Sequence, residues 1–334
     1  MAAGIVGALN NHLADNPEDL IKTYAICPPN DIAGYQGKRL GKVDVAGSAP
    51  AGRARLVAAK RSEDIITARV DKAHKVAYIN LKRMQLGSFG TTGNEGGDRI
   101  YFETDYANRG GWVPIYWLPW NAAGAAIRLT IPAHTAANPG PSLFFTAAIN
   151  GCSVFFQGTP QNPTIYHCGG DAGQGVNALQ AAQFWQEVVA EFIAFDAARG
   201  KNKGALDPNE VNKTQYIKTP GVGDGPLKPG EGQSTLQAQQ YKAFLENANK
   251  KSLRIEQVSP WACVMGVRHA VTHNWQFYLQ ENATVIYHEI YKSGALSKTK
   301  SSETRYVARP MTVKEAFPTG PAIYTAFAQI PKIL

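Results

Sequence analysis

Between Ala77 and Tyr166 the chain is a succession of short apolar runs, each stopped by glycine, proline or asparagine before it could complete a long helix. The runs are Ala77–Leu81, Arg99–Thr104, Val113–Trp117, Ile127–Ile131, Leu143–Thr146, Ser153–Phe156 and Thr164–Tyr166. Short segments rich in β-branched and aromatic residues, bounded by turn formers, read as strands. In Ile127–Ile131 the polar Arg128 and Thr130 alternate with apolar neighbours, as a half-buried strand requires. With 32 Gly, 20 Pro and only 18% charged residues, the composition favours strands and turns over long helices.

Helices are expected at the margins of this strand train. Ile5, Leu9 and Leu13 recur at helical spacing near the N-terminus, and Asn16-Pro17 breaks that helix. From about Asn177 to Arg199, Leu179, Ala182, Trp185, Val189, Phe192 and Ile193 form one wide apolar face, ended by Gly200. Ser234–Lys250 reads as a further helix, after a long Gly- and Pro-rich loop over 200–233 expected to be mobile. Strands return at Trp275–Leu279, Ala283–Ile290, Thr304–Arg309 and Ala322–Phe327, with Glu281-Asn282 read as a hairpin turn. The expected architecture is α+β: a mixed, largely antiparallel β-sandwich core with flanking helices. An N-terminal helix and irregular segment (1–75) would pack on a domain spanning 76–334.

Charge and cysteine usage narrow the functional classes. The net charge of +8 biases the chain toward acidic partners, but its Lys and Arg are dispersed. Lys201 and Lys203, Lys250 and Lys251, and Lys298 and Lys300 read as solvated loops, and no nucleic-acid module signature appears. Cys27, Cys152, Cys168 and Cys263 have neither disulfide-scaffold nor zinc-site spacing. His269 and His273 have the spacing of a zinc-protease helix, yet Ala270 stands where the glutamate would be and no third ligand is evident. No metal and no cofactor is expected. The Gly-rich Gly169–Gly175 lacks the residues of a phosphate-binding loop and reads as a joint. The aromatic run Trp112–Trp120 fits a core strand or the wall of a substrate groove. No apolar stretch reaches the length of a membrane span, and Met1–Leu9 lacks the basic flank of a secretory signal, so a soluble protein is expected.

The chemistry most legible in the chain lies in Phe145–His167. A cysteine in an apolar strand is ordinarily a small core residue. Here Cys152 follows Gly151, with Thr146 six positions before it and His167 fifteen after it. A thiol becomes a nucleophile when a base takes its proton, a third group orients that base, and donors await the oxyanion. Turn chemistry in Gly158–Pro163 reverses the chain between the two strands, which brings Cys152 toward His167. Cys168 alternates to the other face and reads as core. The residues alone leave three classes open: a side-chain amidohydrolase, a cysteine protease or amidase, and a non-catalytic binding protein.

Thr146, Gly151-Cys152 and His167, in the order strand, Gly-Cys, strand, His, resemble the glutamine deamidase superfamily of the cytotoxic necrotizing factor toxins, the Burkholderia lethal factor and the chemoreceptor glutamine deamidase. The resemblance covers roughly Ala126 to Gly170, and Asn150 stands where the toxins have serine. It implies a deamidase-toxin-like fold, with Cys152 as nucleophile, His167 as base and Thr146 orienting the ring. It also implies a glutamine side chain on a host or target protein as substrate, and a toxin or effector secreted or delivered into a target cell. The same dyad would transamidate if an amine replaced water.

Overall fold

The computed structural model describes residues 2–29, 38–45, 66–73, 76–83, 99–120, 125–149, 151–169, 178–211, 253–292 and 300–325. Two sheets carry the fold. The larger contains β1 (Ala25–Cys27), β4 (Val76–Arg83), β5 (Arg99–Asp105), β6 (Val113–Leu118), β8 (Leu143–Thr146), β11 (Leu253–Arg268), β12 (Trp275–Lys292), β13 (Lys300–Phe317) and β14 (Thr319–Thr325). Their order is β1-β5-β4-β6-β8-β11-β12-β13-β14. The smaller sheet contains β2 (Lys38–Val45), β3 (Ile66–Lys72), β7 (Ala125–Thr130), β9 (Ser153–Thr159) and β10 (Asn162–Cys168), ordered β2-β3-β7-β10-β9. The pairs β1–β5, β6–β8 and β3–β7 are parallel and the others antiparallel, so the sheets are mixed and largely antiparallel. Among the described residues the helices are α1 (Ala2–Asp15), α2 (Pro17–Thr23) and α3 (Ala178–Ala198). The sheet-rich α+β class read from the sequence holds.

Three groups of buried side chains follow from strand alternation. In β4 the even step of the pleat buries Ala77, Ile79 and Leu81 against Leu9 and Leu13 of α1 and Leu20 and Ile21 of α2. A second group joins the two sheets. Leu118, Phe144, Val264 and Phe277 of the larger sheet meet Ile127, Val154, Phe156 and Ile165 of the smaller one. On the other face of the smaller sheet, Ala126, Phe155, Tyr166 and Cys168 lie under Phe184, Trp185, Val188 and Phe192 of α3.

Local chemistry places the helices. Asn16 ends α1 and caps α2, its side chain accepting from the Asp19 N–H at 3.3 Å, with Pro17 at the first helical position. After α3, the Lys201 N–H donates to the Asp196 carbonyl at 2.8 Å and the Gly200 N–H to that of Ala197 at 3.0 Å. That pair of bonds is a Schellman closure, as Gly200 anticipated.

Three expectations change. Glu281-Asn282 is not a turn: both residues lie inside β12, which runs unbroken from Trp275 to Lys292. The reversal falls at His269–Asn274, closed by the His269 N–H on the Asn274 carbonyl at 2.8 Å and the His273 N–H on the His269 carbonyl at 2.9 Å. The irregular segment expected over 1–75 contains β1, β2 and β3, and β3 pairs in parallel with β7. Of the loop expected over 200–233, residues 204–211 lie along the outer edge of β9. The Val154 N–H donates to the Val211 carbonyl at 2.7 Å, the Asp207 N–H to that of Phe156 at 2.8 Å, and the Gly158 N–H to that of Ala205 at 2.9 Å. Gly158, at φ +92°, is the residue this close approach needs, because a Cβ there would stand 2.7 Å from the Lys203 carbonyl oxygen. Residues 212–233, the helix expected at Ser234–Lys250, and most of Gly169–Gly175 fall outside the described residues.

Candidate active site

The hairpin β9–β10 sets the positions of Cys152 and His167. His167 pairs directly with Val154 across the ladder, and on its other side with Ile127 of β7. Paired residues share a face, and both neighbours belong to the group between the sheets, so His167 points into that space. Cys152, two positions before Val154, belongs to the same group. Cys152 immediately precedes β9 and packs in the same buried group as Val154 and Ile127, the two ladder neighbours of His167. Cys168 takes the opposite face, beneath α3, as alternation requires. Burial, then proximity to Cys152, raises the Cys168 thiol pKa well above its ordinary value.

Gly151 makes the turn that leads into Cys152 and β9. Its φ of +103° is a conformation that side-chain-bearing residues adopt only under strain. The turn it makes falls between Ile149, bonded to Ala262 of β11 in both directions at 2.7 and 3.0 Å, and the start of β9. Asn150 lies outside the described residues.

Thr146 ends β8 in the larger sheet. It shares the face of Phe144, two residues earlier, and pairs with Leu118 of β6. Its hydroxyl oxygen accepts from the Val264 N–H at 3.0 Å. Thr146 thus faces the same inter-sheet space as Cys152 and His167, but its recorded bond is to β11 and not to the imidazole.

The site is buried. Cys152 is 6% exposed and His167 1%. Neither ring nitrogen of His167 has a hydrogen-bond partner of good geometry. Burial drives the imidazole pKa down to about 4, against a weaker upward pull from the carbonyls of Leu118 and Pro119 facing the ring. His167 is neutral at pH 7. The group of Leu118 and Pro119 was not legible as part of a site; the one signal was the aromatic run Trp112–Trp120, whose end they form. The rest of that run divides, with Trp117 fully buried toward α1 and α2 and Trp120 partly buried beside both groups.

The remaining sequence candidates do not join this site. His269 and His273 lie in a tight turn and not on a helix, and among the described residues no cluster of His, Cys, Asp or Glu could hold a metal. The four cysteines form no disulfide. No described helix is long and apolar enough to cross a membrane.

No protein-family model and no curated protein matches the chain. Among solved structures, the C-terminal domain of CNFy from Yersinia pseudotuberculosis aligns at 9% sequence identity with a TM-score of 0.34, over 93% of this chain and 99% of that one. A superposition at that score carries no functional inference.

Proposed function

We propose that this chain is a cysteine-dependent protein glutamine deamidase, with Cys152 as nucleophile, His167 as acid–base and Thr146 as the group that orients the ring. The observation that supports it is the placing of Cys152, at the entry to β9, in the buried group that flanks His167 of β10, in the Thr, Gly-Cys, His order that resembles the deamidase toxins. This reading takes the two sheets as layers of one sandwich, with the dyad between them.

In the proposed reaction neutral His167 accepts the Cys152 thiol proton, and the thiolate sulfur attacks the carboxamide carbon of a glutamine side chain. Backbone N–H groups at Gly151 and Cys152 hold the oxyanion; a residue without Cβ beside the nucleophile leaves the main chain open to the substrate. The imidazolium returns its proton to the departing nitrogen, which leaves as ammonia, and a thioester remains. His167 then takes a proton from water, whose oxygen attacks the thioester carbon and releases glutamate with the Cys152 thiol restored. Thr146, accepting from Val264 through one lone pair of its hydroxyl oxygen, keeps the other to accept from the N–H of the ring nitrogen that does not act as base. An amine in place of water gives transamidation. The product carries a new negative charge, enough to disrupt a buried contact in the target. The substrate class is a host or target protein, and the setting a toxin or effector delivered to another cell.

A second reading rests on the same burial. A thiol and a neutral imidazole closed off between two sheets are what a non-catalytic core contains, and substrate entry requires the site to open. One experiment separates the two. Wild-type protein and Cys152→Ser are incubated with a target-cell lysate, and ammonia release is followed together with conversion of glutamine to glutamate in tryptic peptides. Deamidation by wild type and none by a folded Cys152→Ser supports the enzyme. A Cys152→Ser variant as active as wild type removes it.

A further inference from the structure

Three histidines gather at one corner of the molecule, away from the Cys152 site. His134 lies in the connection between β7 and β8, and His269 and His273 in the turn between β11 and β12. The rings of His134 and His273 are stacked, with centroids 3.8 Å apart and planes at 16°. His273 holds a φ of +58°, an unusual and mildly strained conformation for a residue with a Cβ. His269 closes the turn as an acceptor: its Nδ1 receives the N–H groups of Thr272 at 3.1 Å and Val271 at 3.3 Å. That arrangement requires Nδ1 to carry no proton, so it exists only with neutral His269.

The charged group facing the stack is a cation. Arg268 precedes the turn and bonds back to the same connection, its guanidinium donating to the Gly140 carbonyl at 3.1 Å and its N–H to the Ser142 carbonyl at 2.9 Å. Its other neighbours are the ring of Trp275, at 5.7 Å, and Tyr116, a phenol that is neutral at these pH values. Among the described residues no carboxylate is within ion-pair distance of His134, His269, His273 or Arg268. Protonation here adds positive charge beside positive charge with no compensating acid.

We propose that the His134–His273 stack, seated on the His269 turn, is an acid-released clasp that joins the β7–β8 connection to the β11–β12 turn at neutral pH and lets go when His134 takes up a proton. The sign follows from the geometry. Proton uptake by His134 places a cation against the stacked His273 ring and near Arg268. The His134 pKa is correspondingly depressed, by burial first and then by His273 and Arg268. A group depressed in this way contributes stability that is present above its unfolded value, about 6.5, and is lost as the pH falls below it. The clasp joins the near ends of β8 and β11, the strands that carry Thr146 and Val264, and it stands whether or not Cys152 is catalytic.

Hydrogen exchange tests it. Protection factors, corrected for intrinsic exchange, are measured at pH 7.5 and 5.5 for peptides covering 131–142 and 268–275, with 162–168 as the core reference. In wild type both clasp peptides should lose about tenfold in protection at the lower pH relative to the reference, the factor that one pK unit of coupling gives. His134→Phe keeps a stackable ring without a titrating group, and its loss should shrink in both peptides at once. No loss in wild type, or an equal loss in His134→Phe, overturns the proposal. Should His134→Phe lose protection in the core reference, His273→Asn serves instead, since asparagine tolerates positive φ. Its clasp peptides should be weakly protected already at pH 7.5 with little further change, and an undiminished acid-dependent loss there overturns the proposal as well.

Discussion

The two faces of the smaller sheet treat the buried polar side chains of its own strands in opposite ways. Beneath α3, Arg128 pairs with Asp196 at 2.5 Å and lies over the Phe192 ring, while Tyr166 donates to Gln157 at 2.8 Å and Gln157 to the Gly204 carbonyl at 2.9 Å. On the inner face His167, one residue from Tyr166 in sequence, has neither ring nitrogen well bonded. Fully partnered polar groups fix how elements dock, here α3 and residues 204–211 on the sheet. A buried group left without partners costs about 1–3 kcal/mol. Such a group either awaits a ligand or weakens the core, and that alternative is what the dyad reading turns on.

The sharpest way to break the comparison is at the dyad. Cys152→Ser and His167→Ala should each lower deamidation by at least about a thousandfold, as loss of a nucleophile or its base does, with the circular dichroism spectrum unchanged. Undiminished turnover in either variant would make the inner face ordinary core. On the outer face, Asp196→Ala should cost about 3–5 kcal/mol in denaturant unfolding by leaving Arg128 buried and uncompensated, whereas Arg128→Met with Asp196→Leu should recover most of that loss. A loss below about 1 kcal/mol for Asp196→Ala, the range of exposed pairs, would show that the pair does not hold α3.

Acid separates the faces further. The unfolded imidazole titrates at 6.5 and the folded His167 at about 4, so between these values the unfolded chain binds the extra proton and stability falls with pH. His167 contributes a loss of about 3 kcal/mol across that window and none beyond it. His167→Leu should remove this part of the slope in urea titrations at pH 7, 5.5 and 4, and an unchanged slope would place the ring in solvent. Thr146→Val deletes the acceptor of the Val264 N–H and should cost about 2 kcal/mol, with a milder activity loss than either dyad variant. The smallest effect expected is for Cys168→Ser on the α3 face, about 1 kcal/mol in stability with activity retained. An activity loss matching that of Cys152→Ser would reverse the assignment of the two thiols.

Much of the fold was legible because strand periodicity is a local property. Ala77, Ile79 and Leu81 show their buried face in the sequence itself, and Asn16-Pro17 and Gly200 mark helix ends through the backbone geometry they favour. The placing of Cys152 in the buried group that flanks His167 and the opposite face of Cys168 follow from one hairpin and its alternation. Wherever a polar residue finds its partner far along the chain, the reading fails. Glu281 and Asn282 look like turn residues, yet Asn282 donates to the Ile26 carbonyl at 3.2 Å, and its neighbour Gln280 to those of Ile21 at 2.6 Å and Tyr24 at 2.7 Å. Gln280 and Asn282 satisfy the end of α2 and β1 from inside a strand, while Glu281 faces Lys314. Arg128 likewise reads as the wet side of β7 until α3 brings Asp196 over it.

Residue order alone therefore determined the strand-rich class, the helix ends, and the placing of a thiol at the entry to the hairpin whose inner face carries the imidazole. Only the tertiary structure decided that this face is buried against residues of the larger sheet, that Thr146 of that sheet is already bonded to Val264, and that His167 is held neutral. The physical reason is range. Alternation and capping act over a few residues, whereas desolvation and partner supply depend on which distant segments come to lie against a side chain, and those dictate its charge.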